Sequence, residues 1–416
     1  MGRFFIKLCF FTNHFYPEDF KVNDIAFELS NKGYDITVIT AIPDYPQGKF
    51  YEGYSLFKRR NEIVNGVKVH RLPIIPRSKG KKIQLVFNYL SYFISTLLFT
   101  ILYLYKEKYD IVFVHLTSPF FIGLPAVLLK RKQNIPLVFW VLDLWPESLS
   151  AASGIKNKLV LDTQIRLVRY VYNNCNKILI GSKGFKKSIC EKGRYADRIE
   201  YFPNWAEDVF PLKYEYDYLQ NNPFAQFSDS DFVILFTGNI GEAQNLECVI
   251  DAAFELREIK NIRFVFMGDG RHREKLITKM NNMALSSSVF FPGRYPIESM
   301  SVFMQRADVL LVSLKNELIF SLTVPSKLQF YMAQGKPILA ILNGDGAKIV
   351  NEACCGVAVS DSDNNILQNV IRQMYKMPKN ELIEMGKNGK KYYDKYFKKE
   401  QRIEQLNNIF ISYDCK

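Results

Sequence analysis

Short, nearly continuous apolar runs alternate with longer stretches of helical spacing along the whole chain. In the first half FFIKLCFFT, YDITVIT, KVHRLP, DIVFVHLT, PLVFWVLD and KILIGS read as strands. In the second half FVILFTG, RFVFMGDG, VFFPGR, VLLVSL, PILAIL and GVAVS do the same. Runs without a polar alternate belong to parallel sheets covered on both faces, and helices between them predict a doubly wound α/β architecture. A helix from Asp24 to Lys32 follows the first strand and stops at Gly33. The pattern breaks after FPNW (Phe202–Trp205) into a polar stretch reaching Asp231, then restarts. Two Rossmann-like domains in tandem are therefore expected, over 1–205 and 206–389, and no short repeat is visible.

One helical stretch departs from this pattern. Ile83–Tyr105 runs for 23 residues without a formal charge, long enough to cross a bilayer. Gln84, Asn88, Ser91, Ser95, Thr96 and Thr100 interrupt it, and it sits between two strands of one expected sheet, which a single crossing would separate. A buried crossover helix and a helix lying in a membrane face remain. The basic cluster Arg77-Lys79-Lys81-Lys82 leading into it favours the second, over residues 77–105.

The candidate chemistry lies in loops at strand ends, where open parallel sheets bind ligands. TGNIGEAQNL carries Gly238, Asn239, Gly241 and Gln244. MGDGRHREKL carries Gly268, Asp269 and Gly270, and FPGRYPIESM carries Arg294 and Tyr295. VPSKLQFYMAQGKP reads as a helix opened by Pro325-Ser326 and closed by Gly335, with Lys327 in its first turn. A cation there opposes the helix dipole unless an anion is bound. A diphosphate would accept Lys327, Ser326 and the turn's backbone N–H groups together, with Arg294 as a second cation. No phosphate-binding GxxxxGK[ST] loop occurs, and GNIG is not a dinucleotide fingerprint. In the first half, Asp143 in FWVLDLWPES and His115 in DIVFVHLTSP stand at strand ends, and HFYPED offers Tyr16 and Glu18. The DxD strings Asp229–Asp231 and Asp361–Asp363 read as linker and helix cap rather than as metal ligands.

Charge divides the halves. Residues 1–205 hold 30 Lys and Arg against 16 Asp and Glu, while residues 206–416 hold 25 against 26. The basic half lacks any recognisable nucleic-acid module, so an anionic lipid surface is the better partner. The seven cysteines are scattered and odd in number, with no CxxC, so neither a disulfide frame nor a zinc site is indicated. Lys7 interrupts the apolar N-terminus, which reads as a strand rather than a signal peptide.

NHFYPED, TAIPDYPQGKFYEGY, LDLWPES, TGNIGEAQNL, PGRYP, TVPSKLQFYMAQGKPILAILNGDG and CCGVAV follow one another in order over nearly the whole chain. Together they resemble the GT4 family of retaining glycosyltransferases, closest to the L-fucosamine and colanic-acid branch. The resemblance implies a GT-B fold: two facing Rossmann-like domains with an interdomain cleft, and final helices from about 390 to 416 rejoining the first domain. It implies a nucleotide-sugar donor on the second domain and a lipid-linked acceptor saccharide on the first. No cofactor and no metal are expected, and the location would be peripheral on the cytoplasmic face of a bacterial membrane. Asp143 or His115 would deprotonate or orient the acceptor. The family's Glu-x7-Glu pair falls on Leu322 and Phe330, so neither position is acidic, and Gln329 is the remaining candidate for the ribose. A nucleotide-sugar-binding partner subunit without transfer activity and a GT-B-type UDP-sugar epimerase are the alternative readings.

Overall fold

A computed structural model describes residues 6–78, 82–149, 157–206, 222–360 and 364–414. The chain divides into two compact units, one reaching Pro203 and resuming at Glu400, the other spanning Asn204–Lys399.

In the first unit the apolar runs become β1 Lys7–Phe11, β2 Asp35–Ala41, β4 Val67–Leu72, β5 Ile111–Leu116, β6 Leu137–Val141 and β7 Lys177–Ile180. Two short strands join them, β3 Asn61–Val64 and β8 Ile199–Tyr201. The sheet order is β3-β4-β2-β1-β5-β6-β7-β8. Each pair is parallel except β3 with β4. The residues of β5 and β6 are all buried, as a sheet covered on both faces requires. Sequence reading missed β3, although its signal was present. Asn65 and Gly66 both take positive φ (48° and 81°) between NEIV and VKVHRL, the two-residue turn that Asn-Gly favours in a hairpin. β3 is an edge strand of alternating exposure, so it lacks the continuous apolar run that betrayed the others.

The helices of this unit are α1 Lys21–Asn31, α2 Lys82–Leu102, α3 Gly123–Gln133, α4 Lys158–Asn174 and α5 Phe185–Glu191. The first begins a turn earlier than the Asp24 start read from the sequence, because Val22 already belongs to its buried stripe with Ile25, Ala26 and Leu29.

α2 is inverted. The residues facing the sheet are polar or bear hydroxyls: Asn88, Tyr92, Thr96 and Thr100, four apart along the helix, are buried. Tyr92 donates its hydroxyl to the carbonyl of Thr12, and Thr96 and Thr100 donate to carbonyls one turn back. The outward face is apolar, with Ile83 71 % and Val86 61 % exposed, followed by Phe87, Leu90, Ile94, Leu98, Ile101 and Leu102. The helix is long and apolar enough to cross a membrane. It nevertheless connects β4 and β5 of one sheet, and only a small part of its most apolar window is buried. The buried-crossover reading is therefore corrected: α2 crosses over, but its apolar side faces out.

The second unit contains β9 Phe232–Thr237, β10 Ile262–Met267, β11 Val289–Gly293, β12 Val309–Ser313, β13 Ile338–Ile341 and β14 Gly356–Val359, in the parallel order β11-β10-β9-β12-β13-β14. Its helices are α6 Glu247–Glu255, α7 Arg273–Asn282, α8 Ile297–Arg306, α9 Leu318–Ser321, α10 Ser326–Gln334, α11 Gly344–Glu352, α12 Asn364–Lys376 and α13 Lys379–Tyr396. Phe236, Phe264, Phe266, Leu311, Ile341 and Ile371 lie in its core.

Sequence reading returned the chain to the first unit near 390, whereas the return begins at Glu400 with α14 Lys399–Asp414. The cause is a glycine seam on α13. A Cβ on Gly386 would stand 2.1 Å from the Gly335 carbonyl oxygen, and one on Gly389 would stand 3.0 Å from Cys355 Cβ. Backbone approach that close holds 390–396 on the second unit. Of the DxD strings, Asp231 is ion-paired with Arg263 at 2.8 Å, and Asp361–Asp363 lies outside the described residues.

Candidate functional site

In the second unit the loops after β9, β10 and β11 all turn through glycine. Gly238, Gly268 and Gly293 have φ of 107°, 144° and 93°, a region closed to most L side chains. The loops also touch backbone to backbone. A Cβ on Gly268 would lie 1.9 Å from the Gly238 carbonyl oxygen, and one on Gly270 would lie 2.2 Å from that of Ile240. Gly268 N–H donates to Gly293 O at 2.8 Å, and Ile240 N–H donates to Asp269 O at 2.8 Å.

These loops and the start of α10 enclose a cavity of about 470 Å³. Gly238, Asn239, Gly268, Asp269, Arg294, Tyr295, Ser326 and Lys327 line it. So do Trp205, Ala206, Thr237, Met267, Ile297, Met300 and Phe330, which sequence reading did not propose. Only the fold shows that these mostly apolar residues converge. Lys327 lies against the first loop, where a Cβ on Gly238 would come within 2.9 Å of its Cε. Its Nζ is buried, makes no hydrogen bond, and sits 3.8 Å from the centre of the Phe236 ring. Burial pulls this ammonium down to about 7. Arg294 is exposed at the rim. α10 is anchored to β9 by Tyr331, whose hydroxyl accepts the Thr237 N–H at 3.0 Å. Its N-cap, Pro325, has no side-chain cap, so the first N–H groups remain available to a ligand.

Five positions proposed from the sequence, Gly241, Gln244, Gly270, Pro325 and Gln329, do not line the cavity and do other work. Gln244 accepts the Gly241 N–H at 2.9 Å and so shapes the loop. Gly270 serves the close loop approach. Gln329 is buried and does not line the cavity, whereas Phe330, one residue on, does. A one-residue step along a helix turns the side chain by about a quarter of a circle. Pro325 contributes its conformation, extended at φ −67° and ψ 134°, which launches the helix.

In the first unit Asp143 follows β6. Its carboxylate accepts the Ser118 hydroxyl at 2.6 Å, and Trp145 Nε1–H donates to the same oxygen of Ser118 at 3.2 Å. Burial pushes Asp143 up to about 6, against the opposing hydrogen bond from Ser118. His115 is different. It is 1 % exposed, with Nδ1 3.0 Å from Thr12 Oγ1 and its ring against Trp140. Burial pulls it down to about 3, so it stays neutral inside the sheet. No acceptor hydroxyl reaches a side chain so enclosed, and the base role considered for His115 is set aside.

Glu18 is also structural. Its Oε1 accepts the N–H groups of Asp44 (2.9 Å) and Tyr45 (2.7 Å), and its Oε2 lies 2.8 Å from His14 Nδ1. Tyr16, in the same loop, is exposed, and its backbone N–H donates to Asn23. Arg77 donates to His14 Nε2 at 2.8 Å, which places the ring proton on Nδ1, toward Glu18. The guanidinium of Arg77 lies between the Tyr45 and Tyr89 rings. His14, Asp44, Arg77 and Ser118 are scattered in sequence, and no local signal would have grouped them. Among the described residues, no cluster of three or more His, Cys, Asp or Glu is arranged to hold a metal ion.

Residues 22–208 match the family model described as Glycosyltransferase Family 4, and residues 220–392 match Glycosyl transferases group 1. A relative named for colanic acid biosynthesis, the glycosyl transferase WcaI of Escherichia coli, is 25 % identical over 391 residues, covering 91 % of this chain and 92 % of its own. Among solved structures, sucrose-phosphate synthase from Thermosynechococcus elongatus superposes with a TM-score of 0.73 at 15 % identity, over 99 % of both chains. Anabaena HepE in complex with UDP-glucose does so with a TM-score of 0.67 at 12 % identity, over 98 % of this chain and 100 % of that one. These neighbours share the α/β GT-B fold.

Proposed function

The chain belongs to the GT4-type glycosyltransferases, and from that premise we propose that it moves a sugar from a nucleoside diphosphate to a lipid-linked saccharide during bacterial surface-polysaccharide synthesis, with retention. The observation that carries the donor half is Lys327, a buried ammonium without a hydrogen-bond partner at the open start of α10. A diphosphate seated there gains the helix N–H groups, the dipole and this cation together. A buried cation and helix N–H groups already in place stabilise a leaving diphosphate with little reorganisation, the main electrostatic requirement of the reaction. UDP-sugars are the favoured donors, an N-acetylated deoxyhexosamine among them. The UDP-glucose of HepE and the polysaccharide role in the name of WcaI support this reading. Asp143 is the acceptor-side base, since its raised pKa suits proton abstraction near neutral pH.

A thermal-shift panel of UDP, GDP, ADP and CMP tests the donor site, because a ligand that binds only the native state raises its melting temperature. One diphosphate should stabilise the protein clearly above the others. A flat panel would reject a standing nucleotide site. Phe330 in the cavity favours one second reading, a nucleotide-sugar-binding subunit without transfer activity; measured sugar transfer eliminates it.

The inverted α2 supports docking on the cytoplasmic face of a membrane. In the sequence its apolar stripe follows the basic cluster Arg77-Lys79-Lys81-Lys82, an order that suits an anionic surface. Replacing Ile94 and Leu98 with Asp should weaken binding to vesicles containing phosphatidylglycerol by about tenfold or more. The far-ultraviolet circular dichroism should remain that of wild type. Unchanged vesicle binding would remove α2 from the membrane.

A further inference from the structure

At the far end of α2 from Arg77 the first unit holds a separate cavity of about 680 Å³. β4 supplies Lys68 and His70, the segment entering β3 supplies Arg60, and the end of α2 with the short turn after it supplies Phe99, Tyr103 and Lys106. The lining cations outnumber the one lining carboxylate, Glu107. Lys68 is ion-paired with Asp35 at 2.9 Å. Arg60 donates only its Nε, to the Arg71 carbonyl at 3.1 Å, and among the described residues no carboxylate is paired with Arg60 or with Lys106. Arg71, next along β4, also lines the cavity, but its guanidinium is ion-paired with Glu62 and lies over the Tyr54 ring. The uncommitted charge in the cavity therefore belongs to Arg60 and Lys106.

The mouth of the cavity meets the apolar stripe. Tyr103 lines the cavity and is itself largely exposed, and Leu98, Ile101 and Leu102 beside it are exposed too. A ligand with an anionic head and an apolar tail fits this junction: the head against Arg60 and Lys106, the tail along α2. Basic pockets beside membrane-facing helices bind anionic lipid heads by this combination.

We propose that this cavity binds the phosphate-bearing headgroup of an anionic lipid, fixing the C-terminal end of α2. The proposal rests on the membrane docking of α2. It goes beyond it in assigning a stoichiometric site, where docking needs only a charged surface.

The test is calorimetric titration of the full chain with short-chain dihexanoyl phosphatidylglycerol below its micellar concentration, with the phosphatidylcholine analogue and inorganic phosphate as parallel titrants. Saturable one-to-one binding of phosphatidylglycerol is expected, weakened about tenfold or more in Arg60→Gln/Lys106→Gln. Lys186→Gln/Lys187→Gln, which removes the same charge on α5, should leave it intact. Equal loss in both double variants, or equal binding of phosphatidylcholine, would overturn the site. Inorganic phosphate binding as tightly as the lipid would make it a small-anion site and overturn the lipid assignment. Vesicle binding by the wild type, measured alongside, separates the two ideas. No vesicle binding rejects the docking itself, whereas vesicle binding that ignores Arg60 and Lys106 rejects only the headgroup site.

Discussion

Lys327→Ala is expected to lower kcat/KM for the nucleotide sugar by about 10²–10³, the usual loss when one preorganised stabiliser of developing charge is removed. The fold should survive. The Nζ makes no hydrogen bond, so its loss leaves no partner stranded, and removing a desolvated cation relieves a cost of the ligand-free state. The pH dependence sharpens the prediction. The ammonium is pulled from 10.5 to about 7 by burial, so between these values the unfolded chain holds a proton that the folded one has released. Ligand-free stability attributable to this group is then full above 10.5 and declines as pH falls toward 7. Binding of a diphosphate needs the charged form, so affinity for a nucleotide sugar should fall as pH rises above about 7. Both slopes should vanish in Lys327→Ala. A mutant that turns over like wild type would place the leaving diphosphate elsewhere.

Asp143→Asn carries the second large effect: kcat should fall by about 10²-fold or more, in the range of a lost general base, with little change in donor KM. Burial raises Asp143 to about 6, so the active carboxylate forms only as pH passes that value, and kcat/KM should rise through about 6 in the wild type. That rising limb should be absent in the variant. The sign for stability is opposite. A carboxyl whose folded pKa is raised stabilises the fold at low pH and loses that contribution as pH climbs through about 6, so Asp143→Asn should be at least as stable as wild type at neutral pH. Ser118 would keep an oxygen acceptor in the amide, which makes the substitution conservative in shape. An unaltered pH profile would remove Asp143 from proton transfer and leave it as a partner of Ser118.

The sequence by itself determined a great deal here. Continuous runs such as FVILFT and LVFWV are short and rich in β-branched and aromatic residues, which reads as strands, and with no polar alternate to meet water they read as buried on both faces. The glycine loops and the Pro325-Ser326-Lys327 helix start were legible for a similar reason. Positive φ and helix initiation are local properties, dictated by residues within a few positions. What required the tertiary structure is whatever depends on side chains distant in sequence. His115 and Asp143 look alike as polar residues at strand ends, and only packing shows one sealed beneath Trp140 and the other hydrogen-bonded to Ser118. Glu18 gave no local sign that it would accept two backbone N–H groups 26 and 27 residues away. α2 shows the division most directly. Polar residues interrupt its apolar run at helical spacing, and periodicity alone would turn them outward to water. The inner side takes Asn88 and Tyr92, which donate to the carbonyls of Ile75 and Thr12, and Thr96 and Thr100, which are satisfied by carbonyls of the helix itself, so the apolar side is left outward.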